Sequence, residues 1–113
     1  MANLDTWFPR STAARSAHIV DREIHVVARI DKLWNRLQSR FVERNFDFDD
    51  LRAILLSLGF DERVRGSHHI FARPGIAEIV NLQPLGRLAK PYQVRQVREL
   101  IQRHGLMGGR NDG

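Results

Sequence analysis

From residue 30 onward the apolar positions follow patterns whose period changes twice along the chain. Ile30, Leu33, Trp34, Leu37 and Phe41 recur at the spacing of one helix face, which predicts an accessory helix over 30–41. A second helix, over 48–58, is better marked, with Leu51, Ile54, Leu55 and Leu58 forming its apolar face. Asp47 stands at its N-cap and Asp50 in its positive first turn. Phe46 and Leu51 fit a hydrophobic staple, and Gly59 offers a left-handed exit. Beyond Gly59 come three short runs rich in branched and aromatic residues, 60–65, 67–73 and 77–82, punctuated by Gly66 and Pro74-Gly75. Connections that short join only antiparallel strands, so the runs predict a three-stranded meander. Residues 83–90 read as a loop. Pro91 then opens a closing helix with Val94, Val97, Leu100 and Ile101 in one arc and Gly105 at its end. The expected class is α+β, with both main helices on one face of the sheet and the other face open.

The first 30 residues have another character. Ser11, Thr12, Ala13, Ala14, Ser16 and Ala17 mix with arginines and show no helical stripe, although His25-Val26-Val27-Ala28 offers a short strand. Residues 1–30 are therefore expected to be a partly disordered appendage, 31–106 the folded domain with its accessory helix, and 107–113 a flexible tail. The 113 residues suit one domain. Without cysteine there are no disulfides, thiolate metal sites or thiol nucleophiles, and the expected address is the cytoplasm. No apolar run approaches the roughly 20 residues of a membrane span, and the N-terminus lacks the apolar stretch of a secretory signal.

The formal charge of +5 is unevenly spread. Residues 46–62 hold Asp47, Asp49, Asp50, Asp61 and Glu62 against Arg52, a net of −4. Residues 63–106 hold Arg63, Arg65, Arg73, Arg87, Lys90, Arg95, Arg98 and Arg103 against Glu78 and Glu99, a net of +6. The second segment is the one suited to phosphate.

Within it, Gly66-Ser67-His68-His69 is the feature that composition does not explain. Neighbours in a strand point to opposite faces, so His68 goes with Ile70, and His69 with Ser67 and Phe71. Ile70 and Phe71 are both apolar, so the sequence leaves open which histidine faces the helices. Two adjacent histidines without further context also suit ordinary polar positions of a half-buried strand. If they act chemically, imidazole matches RNA cleavage, which needs the 2′-hydroxyl deprotonated and the leaving oxygen protonated near neutral pH. Divergent neighbours cannot easily share one phosphate. One histidine assisted by arginines that stabilise the phosphorane, with Arg63, Arg65 and Arg73 as candidates, is simpler than a histidine pair. The same divergence and the lack of further ligands argue against a metal. His104 lies near the negative end of the last helix, where packing and the helix dipole account for it. Arg95, Arg98 and Gln102 form a polar flank on that helix which suits phosphate or, equally, solvent. Gly86 and Gly108-Gly109 lack the strand and lysine of a phosphate loop, and no cofactor is expected.

Across 49–106 the chain resembles the HicA toxins, the YcfA-like mRNA interferases of type II toxin-antitoxin systems. The resemblance rests on Leu58-Gly59-Phe60, on Arg65-Gly66-Ser67-His68-His69-Ile70-Phe71, and on Lys90-Pro91-Tyr92-Gln93-Val94-Arg95-Gln96-Val97-Arg98 before a helix closing at Gly105-Leu106. It implies a fold like the double-stranded-RNA-binding domain, ribosome-independent cleavage of mRNA in stress responses, and neutralisation by a HicB antitoxin. It places the catalytic histidine at His68 or His69, with a slight preference for His68, directly after the serine. RNA-binding roles would fall to Arg63, Arg65, Ser67, Arg73, Lys90, Arg95 and Arg98. Many members carry proline-x-histidine at the end of the third strand, where this chain has Asn81-Leu82-Gln83-Pro84. The alternative function is a non-catalytic RNA-binding module using the same surface. Either reading predicts that RNA affinity falls steeply with salt, each phosphate contact adding about 0.7 to the log–log slope for single strands. A titration from low to physiological salt measures this, and a slope near zero would refute a basic RNA-binding face.

Overall fold

The computed structural model describes residues 20–106, with side chains described from residue 29 onward. The expected appendage before residue 20 and the expected tail, 107–113, lie outside the described residues. Helix α1 spans Val20–Leu37, a short 3₁₀ helix follows over Arg40–Asn45, and helix α2 covers Phe48–Ser57. Strands β1 (Asp61–Arg65), β2 (His68–Arg73) and β3 (Ile76–Leu82) come next. The two-residue strands β4 (Pro84–Leu85) and β5 (Leu88–Ala89) precede helix α3, Pro91–His104. The architecture is α+β, with β1, β2 and β3 forming an antiparallel sheet in that order and β4 with β5 a separate small hairpin.

Two expectations for the first helix are corrected. It starts ten residues before the apolar stripe suggested and includes His25-Val26-Val27-Ala28, where a strand had been plausible. It also ends at Leu37, so Phe41 leaves the helix face and is 95 % exposed. Ser39 explains the break, because its hydroxyl accepts from the Phe41 amide and caps the 3₁₀ helix. Ile30, Leu33, Trp34 and Leu37 are buried as expected. Arg29 and Arg36 reach Asp50 at 2.8 and 3.8 Å, joining α1 to α2.

Helix α2 keeps its predicted staple, since Phe46 and Leu51 are both fully buried. Asp47 occupies the N-cap position but makes no side-chain cap; its carboxylate takes Arg87 at 2.7 Å instead. The backbone around it pairs with the hairpin, Phe48 N donating to Arg87 O at 2.9 Å and Ala89 N to Phe46 O at 2.8 Å. Residues 83–90, expected as loop, are thus partly strand. At the far end Gly59, at φ 91°, turns the chain so that Phe60 N reaches Leu55 O and Gly59 N reaches Leu56 O. Phe60 is buried by that turn, and β1 begins one residue later.

Pairing fixes the faces of the sheet. Val64 lies opposite His69, Glu62 opposite Phe71, and β2 continues the set with His69–Leu82 and Phe71–Val80. Phe71, Val80 and Leu82 are fully buried, so this face meets the helices, and Arg63, Arg65, His68, Ile70 and Asn81 belong to the other. Helix α3 buries Val94, Val97, Leu100 and Ile101, as its arc predicted.

The same helix also buries Arg98, which is 6 % exposed. Its guanidinium donates to Leu37 O at 3.2 Å and to the Glu43 carboxylate, holding the 3₁₀ helix and the end of α1 against α3. The pairing with Arg98, reinforced by Arg95 at 3.4 Å, keeps the Glu43 carboxyl below its usual range. Replacing Arg98 with methionine leaves the Leu37 carbonyl and half of this carboxylate's partners unmatched, and should cost about 2–3 kcal/mol. Arg95→Met, at an exposed pair, should cost under about 1 kcal/mol. Urea denaturation of both variants tests the contrast; equal losses would refute it.

Candidate RNA-facing surface around His68

The two-residue turn Gly66-Ser67 joins Arg65 to His68, which stand opposite each other as the last pair of the β1–β2 ladder. Gly66 adopts φ 58°, a conformation that disfavours any side chain, and this lets the turn deliver Ser67 and His68 to the end of the sheet. His68 is exposed on the open face. Its Nδ1 lies 3.1 Å from Asn81 Oδ1, an acceptor, so Nδ1 is the nitrogen that donates, and in a neutral ring this pairing selects the tautomer whose acceptor is Nε2.

Beside it a second chain of contacts runs back to α3. Ser67 Oγ accepts from Gln83 Nε2 at 2.9 Å, and Gln83 Oε1 accepts from Lys90 Nζ at 3.3 Å. Gln83 is itself held by the buried amide of Gln93. In the amide orientation that satisfies both groups, Gln93 donates to Gln83 O at 3.0 Å and accepts from Gln83 N at 3.1 Å. Ser67, His68, Arg65 and Lys90 are therefore assembled at one end of the sheet by residues of β1, β2, β3 and the start of α3.

His69 has a different environment. It points to the helix side with Phe71, its side chain only 19 % exposed, and packs edge-on against Phe48 at 4.8 Å between ring centres. Nδ1 donates to Glu62 Oε2 at 2.7 Å. Arg52 grips the same carboxylate with Nε and Nη2, both at 2.7 Å, and reaches Asp49 at 3.2 Å. The Arg52 fork, aided by the His69 hydrogen bond, holds the Glu62 carboxyl below its ordinary value of 4.5 against the opposing effect of burial. His69 is thus engaged in a structural triad and separated from His68 by the sheet itself.

The remaining expected RNA contacts divide. Arg63 shares the open face with His68, two positions along β1 from Arg65. Arg73 is at the opposite end of β2, roughly 16 Å away at strand rise. Arg95 and Arg98 sit at Glu43 among the helices and are not brought to this surface. His104, expected to be explained by packing and the helix dipole, donates from Nε2 to Glu78 Oε1, 2.9 Å away, while Arg103 donates to the other oxygen at 2.6 Å. Among the described residues no three His, Asp or Glu side chains gather to hold a metal ion, and no helix is long and apolar enough to cross a membrane. Asn81, Gln83 and Gln93 were not singled out as functional from the sequence. The signal for Asn81 lay in the pairing of β2 with β3, which sets it diagonal to His68; Gln83 and Gln93 are brought in by contacts that no strand pattern contains.

Glu62 contributes to stability through a lowered pKa, so its contribution is present above the ordinary carboxylate range and lost as the pH falls through the lowered value. On acidification from about pH 5 to about pH 3 the parent chain should lose stability more steeply than Glu62→Gln, measured by denaturation at each pH. Parallel curves would show that the carboxylate carries no such linkage.

No protein-family model, curated protein or solved structure matches this chain, so what the surface does is read from its own geometry.

Proposed function

We propose that the chain is a metal-independent endoribonuclease of the HicA toxin type, on a double-stranded-RNA-binding-like fold, acting on mRNA in the cytoplasm. The observation that carries this reading is His68, exposed on the open sheet face with Asn81 on Nδ1, so that Nε2 is the nitrogen left for a substrate. A neutral imidazole held this way offers Nε2 as a general base, and the surface around it supplies cations. His68 Nε2 takes the proton of a 2′-hydroxyl, the 2′-oxygen bonds to phosphorus, and the 5′-oxygen leaves with a proton from solvent. The products are a 2′,3′-cyclic phosphate and a 5′-hydroxyl. Arg65, opposite His68, and Lys90, beyond Gln83, are the cations placed to meet the phosphorane charge. Ser67 and Arg63 extend the same surface for the flanking strand. His69 supports the fold beneath, which assigns the two adjacent histidines separate tasks.

A nuclease of this kind needs restraint from outside, and an acidic HicB-like antitoxin covering the open sheet is the partner its charge favours. Incubating purified protein with plain RNA in excess chelator tests the reading. The parent chain should generate cyclic-phosphate ends, and His68→Ala should slow cleavage by about 10² or more. His69→Ala should lower the thermal midpoint while its folded fraction still cuts. Undiminished cleavage by His68→Ala would refute the imidazole mechanism. RNA binding with no cleavage by the parent chain would favour the non-catalytic RNA-binding module.

A further inference from the structure

We propose that a trough on the helix layer, away from the open sheet face, binds an acidic peptide segment of a partner protein through one large apolar side chain. The trough begins in a cleft of about 590 Å³ between the 3₁₀ helix, the β4–β5 hairpin and the start of α3. Phe41, 95 % exposed, and Leu85, 59 % exposed, line it with Leu88 and Pro91. An aromatic ring and a leucine left open to water beside a concave apolar wall form a ready seat for a buried anchor.

The charges around this seat give the partner its sign. Arg40, Arg44 and Arg95 line the same cleft, and among the described residues neither Arg40 nor Arg44 has a carboxylate partner. Glu43, the one acid there, is already taken by Arg98 and Arg95. A second cleft of about 520 Å³ shares Arg40, Glu43 and Arg95 and continues along α3 to Glu99 and Gln102. Pro91, Arg95, Glu99 and Gln102 form one stripe of that helix, about 16 Å long at helical rise, which matches about five residues of extended peptide.

The continuation also distinguishes a peptide from a nucleic acid. An RNA strand leaving the arginine-lined cleft would carry its phosphates towards Glu99, whereas Gln38 and Gln102 offer amides that pair with a peptide backbone. The chain's own first 19 residues are unsuited, because Arg10 and Arg15 against Asp5 give them the same sign as the cleft. A segment of another protein with its acids over the arginines and its backbone running on past Glu99 to the amides is the occupant that fits both halves. It would leave His68 uncovered, so this inference stands independently of RNA cleavage.

The test is an amide-resolved NMR titration of the intact chain with a synthetic decapeptide of aspartate and glutamate around a central tryptophan. A lysine-substituted decapeptide and a short single-stranded RNA serve as comparisons. The acidic decapeptide should shift amides in 40–44 and 88–95, and the lysine version should not. Phe41→Ala, and separately the Arg40→Glu, Arg44→Glu double variant, should each weaken binding by about tenfold or more. Both changes are at exposed positions, and an otherwise unchanged spectrum confirms the fold. The proposal is overturned if millimolar acidic decapeptide leaves those amides in place, if binding survives both variants, or if the RNA moves the same amides and displaces the peptide.

Discussion

Burying Phe71 commits every other side chain of β2 to a face. Strand side chains alternate with period two, so once the ring packs with Val80 and Leu82 against the helices, His69 must point inward and His68 outward. A slip of one residue would exchange the histidines and expose the ring. The larger apolar side chain therefore decides which imidazole meets solvent. Ile70, the competing apolar residue, remains half-buried on the outer face beside Asn81.

An inward histidine then needs a partner, because an imidazole among apolar side chains leaves its N–H without water. Glu62 supplies one from β1, but a carboxylate at that depth is costly unless it is itself matched, and Arg52 of α2 completes the set. Phe71 thus draws in His69, then Glu62, then Arg52. Such a network is weak evidence for stability by comparison with an apolar core of the same volume. It does penalise any register that separates its members, which helps to hold His68 on the outer face.

Charge read along the chain overstated the surface available to phosphate. Of the bases in 63–106, Arg87, Arg95, Arg98 and Arg103 each hold a carboxylate of another element. The helices, the meander and the helix-ending glycines were legible because each rests on local spacing or one backbone conformation. The same was true of the ambiguity at Ile70 and Phe71. What was illegible depended on distant partners. Asp47 looked like a cap because it precedes a helix, yet an arginine 40 positions away claims one of its oxygens. Phe41 continued the helical stripe, but Ser39 stopped the helix first. Arg98 looked like a solvated flank until the 3₁₀ helix packed over it.

The site depended on one detail that no local pattern contains. Pairing out from the Pro74-Gly75 turn starts with Arg73 opposite Ile76, and an unbroken ladder from there would set His68 opposite Asn81. The irregularity between Phe71 and Arg73 moves the register by two, so Asn81 lies opposite Ile70 instead. A shift of two preserves the face, and a diagonal neighbour stays within reach of a long side chain. Asn81 therefore still meets His68, now along the diagonal. The ring nitrogen it holds is Nδ1, which leaves Nε2 for whatever arrives at the open sheet. A shift of one would have turned Asn81 towards the core and left the His68 tautomer without this partner.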